Sequence, residues 1–281
     1  MFVARYGDVA GDSRPPLVFV HGLGVTGYAF RRVLGAFEDR VVLVPDLLGS
    51  GSSDRPQPRG PQDYGWTFAG RNLGELLWRL DLGSVDVVAH GVGALAAASL
   101  ARHTPSAVRR LVLVGAPCAG WRPPAWLTAA GTRWGGRALE LGLTRGVLRR
   151  FLAARWSTPE LADRDELAVY WGHVGRRGGR RALVATLRHL LDAKRIEVAY
   201  DGLGVSASLI WGDRDRIVPL ELGRALAARI GAARFDVIDG CGHAPHEERP
   251  QAFAQVVREQ LDGEVGPRSF VSGDERPGRR V

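Results

Sequence analysis

Short apolar runs alternate along the chain with longer stretches in which apolar positions recur at helical spacing. Leu17-Val18-Phe19-Val20, Val41–Val44 and Leu111–Val114 are wholly apolar, and Val85–Val88, Ser208–Trp211 and Arg234–Ile238 are mostly so, broken by Asp86, Ser208, Arg234 and Asp236. Runs of this length without polar alternation predict strands covered on both faces, as in a parallel sheet. Between them, 28–37, 67–80, 94–101, 220–230 and 250–261 predict helices; in 67–80, Phe68, Leu73, Leu76, Leu77 and Leu80 share one side. Strand and helix in regular succession predict βαβ units, hence an α/β fold with a mostly parallel sheet flanked by helices.

Residues 121–200 interrupt this alternation. They show no clear strand and hold five of the eight tryptophans: Trp121, Trp126, Trp134, Trp156 and Trp171. We read them as a helical cap inserted in a core made of 1–120 and 201–262, with 263–281 as a frayed tail. The charge follows the same division. Net charge is +8, and 121–200 carry fifteen basic residues against seven acidic, while the rest of the chain balances at 23 of each. No nucleic-acid-binding motif accompanies that excess, so nucleic acid is not an expected partner; an anionic ligand or an acidic carrier protein fits it. No run approaches the length of a membrane span, and the N-terminus has no leader-like apolar stretch. Two cysteines, Cys118 and Cys241, do not make a disulfide framework, and cytoplasmic residence is expected.

The chemistry centres on 85–95. A β-branched run there meets a tight turn and a helix of small residues, the setting of a nucleophile elbow, G-x-S-x-G. This chain reads Ala89-His90-Gly91-Val92-Gly93. Glycine stands where the serine would be.

Four further landmarks keep the same order: His21-Gly22 after the first long strand, Asp46-x-x-Gly49-x-Gly51-x-Ser53, Trp211-Gly212-Asp213-Arg214-Asp215-Arg216-Ile217-Val218-Pro219, and Gly242-His243-Ala244-Pro245. With the elbow frame, they make residues 15–260 resemble the α/β-hydrolase superfamily, in particular its capped, epoxide-hydrolase-like and C–C-hydrolase-like members. The resemblance implies His243 as base and Asp215 as its acid, with Asp213 the rival, and an oxyanion hole from the amides of Leu23 and Val92.

Gly91 is the departure, a vacant nucleophile position. In a serine protease, losing the nucleophile costs roughly 10⁶ in turnover. A placed base still supplies roughly 10²–10⁴, and each oxyanion donor about 10²–10³. That is too little for an unactivated ester and ample for proton abstraction beside a carbonyl. The expected activity is therefore non-hydrolytic acid/base chemistry (cyclisation, elimination or decarboxylation) on a small apolar carbonyl or polyketide-like substrate, anionic or carrier-linked. Two alternatives stand beside it: a hydrolase in which His243 activates water on an epoxide or C–C bond, and a ligand-binding protein without catalysis.

Pocket candidates are His21, Gly22 and His90 near the elbow, Cys118 after the fourth strand, and Trp126, Trp156 and Trp171 as an aromatic roof. His103, His173 and His189 are expected on solvated helix surfaces. His243-x-x-His246-Glu247 has a spacing that a metal can use, but no third ligand is apparent, so neither metal nor cofactor is expected.

Overall fold

Seven strands make one sheet in the order β1-β3-β2-β4-β5-β6-β7. They are β1 (Val3–Tyr6), β2 (Leu17–Val20), β3 (Val42–Pro45), β4 (Val85–His90), β5 (Val108–Val114), β6 (Ser206–Gly212) and β7 (Arg234–Ile238). The computed structural model describes residues 1–7, 14–58, 63–123, 125–190 and 193–263, so all but the first residue of the expected tail lies outside the described residues. Every pairing is parallel except β1 with β3. β2 and β4 are buried along their whole length, which is why neither shows polar alternation.

Apolar clusters cover both faces. On one side α1 (Trp66–Arg79) and α2 (Val92–His103) pack against the sheet. The small residues of α2 allow that approach: Val92 to Ala101 are all buried, and a Cβ at Gly70 of α1 would lie 2.7 Å from the Ala96 carbonyl oxygen. On the other side Phe19, Phe30, Phe37 and Phe253 share a second cluster.

Between β5 and β6 lie six helices: α3 (Ala125–Gly131), α4 (Arg133–Gly142), α5 (Arg145–Ala153), α6 (Arg164–Val174), α7 (Gly179–Leu190) and α8 (Ala193–Glu197). Leu148, Leu152, Trp156, Leu167 and Tyr170 give this region its own apolar cluster. The chain then returns to the sheet through β6, α9 (Leu220–Ile230), β7, the single turn α10 (Pro245–Glu248) and α11 (Pro250–Asp262).

One predicted helix does not form. Residues 28–37 are instead two 3₁₀ turns, Gly27–Phe30 and Leu34–Phe37. Asp46 Oδ1 accepts from the Gly27 amide at 2.8 Å, and a Cβ at 27 would lie 2.7 Å from Val44 Cγ1. The segment is pinned to the end of β3, and its tighter turns follow from that restraint.

Candidate active site

The order in which strands are added reverses at β2, with β3 on one side of it and β4 on the other, all three parallel. In an open parallel sheet this switch point, at the carboxyl ends of the strands, is where ligands bind. The loops after β2, β4, β5, β6 and β7 supply His21-Gly22, Gly91, Gly115, Asp215 and His243.

His243 and Asp215 come together there. His243 Nδ1 lies 2.7 Å from Asp215 Oδ2, and both residues are buried. Asp215 Oδ1 accepts from the amides of Ile217 and Val218 at 2.8 and 2.9 Å, which fixes the carboxylate plane. The rival, Asp213, turns elsewhere and accepts from the Cys241 amide at 3.0 Å. A Cβ at Gly115 would stand 2.9 Å from His243 Nδ1, so glycine is what lets the imidazole lie over the end of β5.

Gly91 caps α2 with φ 55° and ψ −122°, a conformation that glycine adopts without strain. A Cβ placed on it would meet His243 Nε2 at 3.5 Å and the Gly22 Cα at 3.8 Å. His243 therefore has one ring nitrogen on Asp215 and the other turned to the vacant position. Val92 opens α2, so its N–H belongs to the first turn, which has no partner within the helix. A Cβ on Gly93 would lie 2.5 Å from the His21 carbonyl oxygen, and this close approach holds the Gly22–Leu23 loop against the helix start.

Beside the elbow lies a narrow cavity of about 50 Å³ whose walls include Leu23, Val92, Leu47 and Phe68. Its outer wall comes from α6 and α7: His173, Val174, Leu183 and Thr186. His173, expected on a solvated surface, lines this cavity instead, and its Nδ1 is buried without a hydrogen-bond partner among the described residues. The periodicity of α6 did not reveal it, because the helix is half-buried around most of its circumference.

The aromatic roof is corrected. Trp156 and Trp171 pack in the apolar cluster of the helical insertion, Trp121 donates to the Ile217 carbonyl at 2.7 Å, and Trp134 is exposed. The side chain of Trp126 lies outside the described residues. Cys118 is corrected as well. Its thiol points at the Leu222 carbonyl of α9 at 3.5 Å, and burial pushes its pKa up to about 12. Cys241 is buried, and burial pushes its pKa up too.

Three buried imidazoles support the site from below. His21 Nε2 accepts from the Leu47 amide at 3.0 Å while Nδ1 lies 2.9 Å from the Gly22 carbonyl oxygen, which locks the loop carrying Leu23. His90 Nε2 lies 2.8 Å from the His243 carbonyl oxygen, and His246 packs its ring 4.6 Å from that of His90 and 4.7 Å from Phe30. Among the described residues no cluster of three metal-ligating side chains occurs. Burial lowers the pKa of His21, and that of His90 and His246 well below the ordinary 6.5. In each, the fold favours the neutral form.

Above pH 6.5 these rings are neutral folded or unfolded; below it the unfolded chain takes up protons that the fold refuses. Stability is thus complete above 6.5 and falls with pH by up to about 1.4 kcal/mol per pH unit per ring. Urea midpoints measured from pH 8 to pH 5 should show this decline, and His246→Phe should flatten it by one proton.

The insertion is fastened to the His243 loop. The His243 amide donates to the Arg155 carbonyl at 2.6 Å, Arg155 Nη2 meets Glu247 Oε2 at 2.7 Å, and the Tyr170 hydroxyl donates to Glu247 Oε1 at 2.5 Å. Ser157 donates to Glu248 Oε2 through its amide and hydroxyl at 2.5 and 2.8 Å.

Comparison with known proteins agrees with this fold. Residues 17–256 match the alpha/beta hydrolase family, and the chain belongs to it. The family's members are enzymes, esterases and hydrolases among them. A 2-hydroxymuconate semialdehyde hydrolase of Pseudomonas sp. (strain CF600) is 30% identical over 256 residues, spanning 88% of this chain and 86% of that protein. A pimeloyl-[acyl-carrier protein] methyl ester esterase of Aromatoleum aromaticum is 29% identical, spanning 89% of this chain and all of that one. The crystal structure of Cfl2 from Burkholderia cenocepacia superposes with a TM-score of 0.79 at 26% identity, covering 92% and 91% of the two chains. Among the described residues no helix is long and apolar enough to cross a membrane.

Proposed function

We propose that this protein is an acid/base enzyme on an alpha/beta-hydrolase scaffold that works without an acyl-enzyme. His243 Nε2 takes a proton from carbon beside a substrate carbonyl, and Asp215 stabilises the imidazolium that results. The amides of Leu23 and Val92 hold the developing enolate oxygen, aided by the positive end of α2. Enolisation of this kind opens the way to elimination or ring closure of a small carbonyl compound; in a decarboxylation the departing CO₂ leaves its electron pair in the same enolate, which protonated His243 then quenches at carbon. The observation that carries the reading is the aim of His243: Nδ1 on Asp215 and Nε2 toward the unfilled place at Gly91.

The test is exchange. Wild-type protein in D₂O should place deuterium on the methyl group of an aryl methyl ketone, read by NMR. Absence of exchange above the buffer rate overturns the proposal.

A second reading has its own support. His243 Nε2 faces a position that no side chain fills, and the relatives named above are a hydrolase and an esterase. In that case His243 activates water directly on an epoxide or C–C bond. Turnover in H₂¹⁸O separates the two, because only hydrolysis places the label in a non-exchanging carboxylate or diol oxygen of the product.

Gly91→Ser examines the frame itself. With 3.5 Å between the new Cβ and His243 Nε2 there is room for the side chain, and the backbone strain costs about 1–3 kcal/mol. A folded Gly91→Ser protein should give a burst of nitrophenol from nitrophenyl acetate, where wild type gives none.

A further inference from the structure

The positive charge of the helical insertion takes no part in the chemistry at His243. Five of its arginines, Arg133, Arg137, Arg181, Arg188 and Arg195, line an open cleft of about 770 Å³, against two carboxylates, Asp63 and Glu140. Glu140 is shared loosely, by Arg137 at 3.4 Å and Arg181 at 3.7 Å, so neither guanidinium is closed in a bidentate pair. Arg188 is held in place by the carbonyls of Thr132 and Arg133 at 3.5 and 3.3 Å, with its remaining donors to offer.

The same cleft contains Trp134, whose indole is 78% exposed. The Arg133 guanidinium lies 5.6 Å from that ring's centroid. A bare indole contributes nothing to the core. Beside several guanidinium groups it matches a ligand that joins a flat aromatic base to phosphates, since bases stack on indole and phosphates take paired N–H donors.

We propose that this cleft binds a nucleoside diphosphate head group, with the base on Trp134 and the phosphates on the arginines. Helix α7 is the wall between the cleft and the inner cavity: Ala185 and Arg188 line the former, Leu183 and Thr186 the latter. A head group here sits one helix diameter, about 10 Å, from the cavity beside Gly91. That the head group belongs to the substrate rests on the acid/base reading above; its binding does not.

Calorimetry on the full chain with ADP and with inorganic pyrophosphate tests the site. ADP should bind saturably and more weakly as salt rises. Trp134→Ala should weaken ADP by about 5–150-fold and leave pyrophosphate unchanged. Arg133→Gln with Arg188→Gln should weaken both. No saturable ADP binding at millimolar concentration overturns the proposal, as does ADP affinity indifferent to all three substitutions. Equal affinity for ADP and pyrophosphate, unaltered by Trp134→Ala, overturns it in favour of a plain anion site. His243→Gln should bind ADP as wild type does, so the cleft and the His243 chemistry fail or stand in separate assays.

Discussion

His243→Gln should lower the rate of ketone α-proton exchange by about 10²–10⁴, the contribution of a positioned general base, while ligand affinity stays near wild type. Glutamine keeps much of the shape and can still hydrogen-bond Asp215, so the loss would report the proton acceptor and not a collapsed loop. Asp215→Asn should follow it. The same exchange in a serine protease triad leaves the geometry but favours the wrong imidazole tautomer, at a cost of about 10⁴. Here the asparagine amide would press the His243 ring to present Nε2 as a donor instead of an acceptor. An exchange rate unchanged in His243→Gln would remove this residue from the chemistry.

The second large effect is on stability. Arg155→Met should lower it by about 3–5 kcal/mol, the usual result of removing one partner of a buried ion pair. Arg155 and Glu247 are both almost wholly shielded, at 3% and 2% exposure. Without the guanidinium, the Glu247 carboxylate keeps, among the described residues, only the Tyr170 hydroxyl and Arg31 at 3.6 Å. Glu247→Gln alone should also destabilise, and the double substitution should recover part of the loss, since it leaves no bare charge. Thermal melts read this as a fall on the order of 10 °C for each single change. Additive losses in the double variant would show that the two side chains are not coupled.

The parts that were legible in the sequence share a physical cause. β2, β4, β5 and β6 lie inside the sheet, so their burial writes an apolar run that needs no context. The Asp215–His243 pair was legible through local frames, Ile-Val-Pro after the acid and Gly-His-Ala-Pro around the base. β1 was not, because Val3–Tyr6 is a half-exposed edge of four residues whose pairing depends on β3. The tryptophans misled for a related reason. A large apolar side chain in an insertion signals burial without saying against what, and Trp156 and Trp171 found the insertion's own core. His173 and the Arg155–Glu247 contact escaped because each depends on packing between distant segments; the latter joins positions 92 residues apart.

The fastening of residues 155–157 to the loop of His243 restricts how the chamber can admit a guest. Prising that edge upward would drag the imidazole from its carboxylate, since the Arg155 carbonyl and the His243 amide are bonded directly. The molecule thus has one edge of the insertion fixed to the His243 loop, while the cavity beside the elbow is walled elsewhere by residues of α7 with Tyr64 and Trp66.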